Sequence, residues 1–401
     1  MKAVYIIDAC RTAVGKYGGA LSGIRPDDLL ATVIRGLWAR NTNIPVNEIE
    51  EVIAGAANQS GEDNRNVARM SALLAGLPVE VAGVTVNRLC ASGLQAIMDG
   101  YRAISCGEGE IIISGGVESM SRAPFVMAKS EQAFGRLPDF FDTTFGWRFT
   151  NPALSALYPP YIMGETAENL ADKYSISREE QDNFAYTTQV KWNKAQTEGK
   201  FSDEIIPVTL PALKKGGETR IFSTDEHPRL SSMEQLSQLK PAFRKEGSVT
   251  AGNASGINDG AAACILASEE AVKKYNLQPL ARIVSSAVAG VDPAIMGIGP
   301  VPATRKALKR AGIKLNDIGL IELNEAFAAQ VLACHRELDF DPSRLNINGG
   351  AIAIGHPLGC SGARITATLV HEMKRRPEVK YGLASMCIGV GQGASLIIER
   401  V

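Results

Sequence analysis

The sequence predicts an α/β protein of two duplicated halves with one long insertion, and three observations carry that expectation. Short β-branched runs alternate with amphipathic stretches. Similar strings recur at a constant offset, and the stretch between them has a different texture.

In chain order, residues 4–7 read as a strand, and Asp27 and Asp28 open a helix with apolar positions at Leu29, Leu30, Val33, Ile34 and Leu37. Residues 52–54, 84–87 and 111–116 read as further strands. Such alternation predicts a largely parallel sheet covered by helices. The plan then repeats. Val46-Asn47-Glu48-Ile49 precedes a strand as Leu315-Asn316-Asp317-Ile318 does, Asn87 has a counterpart in Asn348, and Ser114-Gly115-Gly116 pairs with Cys387-Ile388-Gly389. The offsets are all about 270 residues. The chain therefore divides into an N-terminal half (1–119, completed by 258–279), an insertion (120–257) and a C-terminal half (280–401).

The insertion gathers aromatic residues from Phe134 to Tyr161, broken by Pro138, Pro152, Pro159 and Pro160. Such a loop packs on a partner subunit, roofs an apolar pocket or forms a local core of its own. Further on, Ser177-Arg178-Glu179-Glu180 is a capping box opening a helix that ends at Gly199, and Lys214-Lys215-Gly216-Gly217 reads as a hairpin turn.

Composition excludes several classes. Lys+Arg 42 against Asp+Glu 43 leaves a net charge of -1, so no overall field draws the 401-residue chain to nucleic acid or acidic lipid. The apolar run 3–7 stops at Asp8, too short for a signal-peptide core, and no stretch approaches the ~20 apolar residues of a membrane span. The seven cysteines contain no C-x-x-C spacing and the histidines no H-E-x-x-H. Free thiols in a reducing, cytoplasmic compartment and no metal site are expected. No G-x-S-x-G elbow or Walker loop occurs. Gly389-Val390-Gly391-Gln392-Gly393-Ala394 fits G-x-G-x-x-A but leads into a strand, so it cannot seat a phosphate on a helix terminus.

Four positions carry candidate chemistry. Cys90 follows a strand and precedes a helical pattern through Leu94, Ile97, Tyr101 and Ile104. There, unpaired N–H groups and the helix dipole would lower its thiol pKa; the competing reading is a buried structural cysteine. His356 sits in the apolar, Gly-rich turn 348–359, whereas His227, His335 and His371 read as solvated. By the duplication, Cys387 falls at a strand end on the same rim as Cys90, and Asn324 projects there from the strand before it.

Asn87-Arg88-Leu89-Cys90-Ala91-Ser92-Gly93, Gly115 to Ser121, Thr250 to Gly256, Asn324 to Ala328, Gly349 to Gly359 and Cys387 to Gly393 together resemble the thiolase family over essentially the whole chain. The resemblance implies the thiolase fold, two βαβαβαββ halves packed as layers of helices and sheets with a large inserted loop domain. It implies that Cys90 is the acyl-accepting nucleophile, His356 its base, and Cys387 the acid/base at the acetyl-CoA α-carbon. Asn324, through a water, and His356 would form one oxyanion hole; the N–H groups of Cys90 and Gly389 would form the other.

By the same resemblance, Met163, Arg229, Phe243, Ala251, Ser255, Ala326 and Phe327 contact coenzyme A, with Arg229 at the adenosine phosphate end and Ser255 on the pantetheine amide. CoA and acetyl-CoA are substrates, no cofactor is permanently bound, and the implied assembly is a homodimer or homotetramer. Ile162-Met163-Gly164 departs from the His-Met-Gly of biosynthetic acetoacetyl-CoA thiolases, whereas residues 61–69, 120–127 and 387–393 are similar to degradative 3-oxoadipyl-CoA and 3-oxoacyl-CoA thiolases. Ala91 stands where 3-oxoadipyl enzymes usually carry Gly. The implied reaction is thiolysis of a 3-oxoacyl-CoA in fatty-acid or aromatic degradation, the alternative being acetoacetyl-CoA thiolase working in the biosynthetic direction. A dicarboxylate-derived acyl chain would need a cation, for which Arg122, Arg136 and Arg148 are candidates. A second cysteine at 387 argues against ketosynthase or hydroxymethylglutaryl-CoA synthase chemistry, and retention of all four catalytic residue types argues against a lipid carrier.

Overall fold

The computed structural model describes every residue except Met1, Glu131, Leu137, Leu213 and Lys215. Its centre is one large sheet. The strands are β1 (Val4–Arg11), β2 (Glu51–Gly55), β3 (Ala82–Val86), β4 (Ile111–Ser119), β5 (Asn258–Ser268), β6 (Ala281–Gly290), β7 (Ile318–Leu323), β8 (Tyr381–Ile388) and β9 (Gln392–Arg400). They lie in the order β7-β8-β9-β6-β1-β5-β4-β2-β3, with the two-residue piece Gly15–Lys16 paired to the start of β5.

The order exposes the duplication. Outwards from the β1–β6 seam, each half places its first strand, then its last, its penultimate and its second. Where the N-terminal half adds β3, the C-terminal half has only a bridge from Ile321 to Leu345. Both second strands are preceded by a short 3-10 turn, Val46–Glu48 and Leu315–Asp317.

The expectation of a largely parallel sheet is corrected. Only β2–β3, β2–β4 and β7–β8 run parallel in the large sheet. The cause is connection length. Gly389-Val390-Gly391 is all that joins β8 to β9, and three residues suffice for a hairpin but not for a crossover.

Strand alternation supplies two layers of core. Ile112, Ala262, Cys264 and Leu266 face inwards, with Ala384, Met386, Leu396 and Ile398 from the other half, onto α3 (Ser92–Cys106) and α8 (Leu358–Arg375). Ile111, Ile113, Ala263 and Ile265 face outwards onto α1 (Pro26–Arg40) and α2 (Val67–Leu74). The outer face of the C-terminal half is covered by α6 (Pro300–Ala311) and α7 (Ala328–Leu338). Being packed between layers, α8 is buried continuously from Gly359 to Met373.

Within the insertion, α4 is Met163–Lys173 and α5 is Arg178–Thr197, the latter opened by the expected box: Ser177 Oγ accepts from the Glu180 N–H at 3.1 Å and Glu180 Oε2 from the Ser177 N–H at 2.7 Å. The insertion is fastened to β1 by buried charge. The Arg11 guanidinium lies 2.6 Å from both Glu204 and Asp225, and all three side chains are 0% exposed. Val208–Leu210 and Arg220–Phe222 pair antiparallel, so a hairpin connects them; of its expected turn, Lys215 lies outside the described residues.

Candidate active site

The turn after β3 is built from side chains that bond their own backbone. Asn87 Oδ1 accepts from the Leu89 N–H at 2.8 Å, while Ser92 Oγ accepts from the Arg88 N–H and donates to the Leu89 carbonyl at 2.6 Å. These bonds hold Leu89 at φ 47, a left-handed conformation costly for a branched side chain. The reversal presents Cys90 in front of α3, with its sulfur set into protein although the residue keeps an opening to solvent.

The expectation of a lowered thiol pKa is corrected. Burial pushes the Cys90 thiol up; the N–H groups of Gly389 and of Cys90 itself reach the sulfur and pull back, and the Glu118 carboxylate adds to the rise. Position explains this. Helix α3 begins at Ser92 with Ala91 as its cap, so Cys90 lies before the helix and not within its first turn. Activation must therefore come from a base.

The expected base, His356, is held firmly. Gly355, at φ 112, turns the chain so that the His356 N–H reaches Asn258 Oδ1 at 2.9 Å; a Cβ at Gly355 would meet the Asn258 amide carbon at 2.6 Å. His356 Nδ1 lies 2.6 Å from Ser361 Oγ, and that hydroxyl donates to the Pro357 carbonyl at 2.8 Å. With its own proton committed, Ser361 can only accept from the ring. This assigns the proton to Nδ1 and leaves a lone pair on Nε2. Burial, aided by Arg364, lowers the imidazole pKa to about 3, so the ring is neutral.

Asn324 follows β7, its N–H donating to the Ser385 carbonyl on β8, and its Nδ2 stands 3.4 Å from His356 Nε2. Asn324 Oδ1 is buried without a partner among the described residues. Cys387, 1% exposed near the end of β8, has its thiol raised by burial and next by the neighbouring Cys90. Asn324 thus meets the His356 ring, and the Cys90 and Cys387 sulfurs neighbour each other, on four separate segments of the chain.

The expected CoA contacts gather beside them. Cys387 packs with Ala326, Phe327, Met163 and Phe243 in one apolar cluster, and the Phe243 and Phe327 rings meet edge-on at 6.2 Å. The Ser255 N–H donates to the Ala326 carbonyl at 3.0 Å. Arg229 donates to the Ala251 carbonyl at 2.7 Å, and both line a cavity of about 170 Å3 with Gln189, Leu236, Leu239 and Gly252.

Sequence reasoning missed Ser361, Asn258 and the role of Glu118. The Glu118 carboxyl accepts from the N–H groups of Ala57 (2.9 Å), Asn58 (3.2 Å) and Gly359 (2.8 Å), tying the loop after β2 to the start of α8. Burial raises it to about 7. A Ser five residues beyond a His is no motif, and only the fold of that turn makes it a partner. The reading of the other histidines as solvated is corrected as well. His371 is 2% exposed and bonds the Ala9 carbonyl because α8 has no solvent face, His335 stacks on Phe340, and His227 packs over Gly256. Among the described residues no group of His, Cys, Asp and Glu could hold a metal ion, and no helix is long and apolar enough to cross a membrane.

Residues 4–270 match the family model described as thiolase, N-terminal domain, and residues 277–400 match thiolase, C-terminal domain. The chain is 56% identical to a beta-ketoadipyl-CoA thiolase of Acinetobacter baylyi and 55% identical to a 3-oxoadipyl-CoA/3-oxo-5,6-dehydrosuberyl-CoA thiolase of Escherichia coli, covering 100% of both partners in each case. The structure of human mitochondrial 3-ketoacyl-CoA thiolase in complex with CoA superposes with a TM-score of 0.91 at 44% identity, over 100% of this chain and 98% of that one.

Proposed function

Since this chain belongs to the thiolase family, we propose that Cys90, His356, Cys387, Asn324 and Gly389 divide its reaction among them as follows. The reaction is thiolytic cleavage of a 3-oxoacyl-CoA by CoA to acetyl-CoA and a shortened acyl-CoA. Nε2 of His356 removes the Cys90 proton as the sulfur attacks the 3-oxo carbon. The N–H groups of Cys90 and Gly389 take the oxyanion. The bond between C2 and C3 breaks, leaving the acyl group on Cys90 and an acetyl-CoA enolate. His356, now carrying its acquired proton on Nε2, donates to the enolate oxygen together with a water on Asn324. Cys387 delivers a proton to C2. The resulting Cys387 thiolate takes the proton of incoming CoA, whose sulfur attacks the acyl-enzyme; the bond from the acyl carbon to Cys90 breaks, the Cys90 thiolate recovers its proton from His356 Nε2, and the shortened acyl-CoA leaves. Each oxyanion donor is worth ~3 kcal/mol of barrier.

The observation that supports this reading is the Ser361–His356–Asn324 chain, which holds a neutral imidazole with its unprotonated Nε2 beside the Asn324 amide. The insertion 120–257 is read as the CoA-binding and oligomerisation segment, with CoA along Arg229, Ala251, Ser255, Phe243, Phe327, Ala326 and Met163, and the assembly as a homodimer or homotetramer. The substrate is read as 3-oxoadipyl-CoA, a reading supported by the relatives' names and by Ile162 in place of histidine. Comparison of kcat/KM for acetoacetyl-CoA, a medium-chain 3-oxoacyl-CoA and 3-oxoadipyl-CoA tests it: the last should lead, and a lead for acetoacetyl-CoA would favour the biosynthetic alternative.

A further inference from the structure

An acyl chain ending in a carboxylate brings a second charge into the site, and such a charge binds well only where a cation meets it. The three arginines of the insertion differ sharply in what they are free to do. Arg122 is committed to Glu62 by two bonds and to the Ser22 carbonyl by a third. Arg136 is exposed. Arg148 is half-buried, with no acidic or hydrogen-bonding partner among the described residues.

The backbone that carries Arg148 is tied to the cleft on two sides. At Thr143, the carbonyl and hydroxyl oxygens accept from Asn58 Nδ2 at 3.0 and 3.2 Å. Asn58 in turn donates its N–H to Glu118, the carboxyl that also holds Gly359 beyond His356. Four residues after Thr143, Trp147 Nε1 donates to the Tyr161 carbonyl at 2.9 Å, and two residues past Tyr161 stands Met163, whose sulfur lies 3.5 Å from where a Cβ on Gly389 would be. Residues 143–147 are therefore tied at one end, through Asn58, to the Glu118 carboxyl whose charge reaches Cys90, and at the other to the segment that carries Met163. Arg148 follows the second tie directly, and the next residue, Phe149, packs its ring 4.8 Å from that of Phe141.

From this placement we propose that Arg148 reads the distal carboxylate of a 3-oxodicarboxylyl-CoA and thereby sets this site's preference for acyl chains that end in a carboxylate. The inference rests on the 3-oxoadipyl reading above and assigns it to one residue. A planar guanidinium matches a carboxylate with two parallel N–H···O bonds, so lysine should replace it only in part.

The test uses the full chain as wild type, Arg148→Gln and Arg148→Lys, each assayed with 3-oxoadipyl-CoA and with 3-oxohexanoyl-CoA, which has the same chain length but ends in a methyl group. Arg148→Gln should lose about 10- to 150-fold in kcat/KM on the dicarboxylate substrate, mainly through KM. It should stay within about twofold of wild type on the methyl-ended one, with Arg148→Lys between the two. A wild-type preference for 3-oxoadipyl-CoA that survives in Arg148→Gln, or an equal loss on both substrates, overturns the assignment to Arg148. A wild type that treats the two substrates alike overturns the substrate reading itself, and this assignment with it.

Discussion

Replacing Ser361 by alanine removes one hydroxyl from a fully buried position, and the structure says what is lost. The Pro357 carbonyl keeps the N–H donors of Cys360 and Ser361, so its hydrogen bonding survives. The His356 Nδ1–H keeps nothing: its 2.6 Å partner is gone in a site where water does not replace it readily. A buried donor left unsatisfied costs about 1–3 kcal/mol. The cheapest escape is to move the proton to Nε2, which destroys the base. If that cost falls on the step in which Cys90 is deprotonated, kcat drops by about 5- to 150-fold. The KM for CoA should hold, because Arg229, Ala251 and Ser255, the residues proposed to contact CoA, lie on other segments. Steady-state thiolysis with CoA as the varied substrate reads both quantities, and Ser361→Thr, which restores the oxygen, should recover most of kcat. A kcat within twofold of wild type, a change confined to KM, or a threonine variant no better than alanine would refute the reasoning.

Other expectations follow from the same geometry. Arg11→Met strands Glu204 and Asp225 in a fully buried site and should lower stability by about 3–5 kcal/mol in chemical denaturation; a loss under about 1 kcal/mol would show the charge cluster to be dispensable. Gly116→Ala would set a Cβ 2.0 Å from the Gly359 carbonyl oxygen, so it should destabilise by at least about 1–3 kcal/mol and reduce kcat by displacing the turn between His356 and Ser361. His356 is held near 3 against 6.5 when free, so unfolding takes up a proton between those values. Its contribution therefore lowers stability as pH falls from 6.5 towards 3, by about 1.4 kcal/mol per unit, and is without effect above 6.5. Denaturation of wild type and His356→Asn between about pH 4 and 8 should show the variant gaining on wild type only on the acid side.

The sequence made the architecture legible where periodicity and repetition carried it. The β1, β2 and β4 strands, the capping box at Ser177 and the pairing of Val46–Glu48 with Leu315–Asp317 all emerge from spacing alone. Strand direction did not, because it depends on which neighbours a strand finds. Nothing local in β8 and β9 announces that they fold back on each other except the brevity of Gly389-Val390-Gly391. The residues proposed to react were legible as types at turn positions, and the fold sets Asn324 and Cys387 near the ends of two neighbouring parallel strands. Their electrostatics were not legible. Whether a thiol before a helix is raised or lowered depends on how deeply its sulfur sits and on a carboxyl, Glu118, some thirty residues away in the chain. The burial of His371 has the same origin: its helix looks amphipathic in isolation and is enclosed on all sides in the fold.

Two thiols with separate duties are the core of this account, and mapping the acyl group separates them. The enzyme, as wild type and Cys387→Ala, is mixed with acetyl-CoA, quenched and digested, and the modified peptide is identified by mass, with exchange of the acetyl-CoA α-proton into deuterated water followed in parallel. Acetylation of Cys90 in both proteins, with exchange lost only in Cys387→Ala, is the predicted result. An acetyl group on any other residue, or undiminished exchange without Cys387, would contradict it.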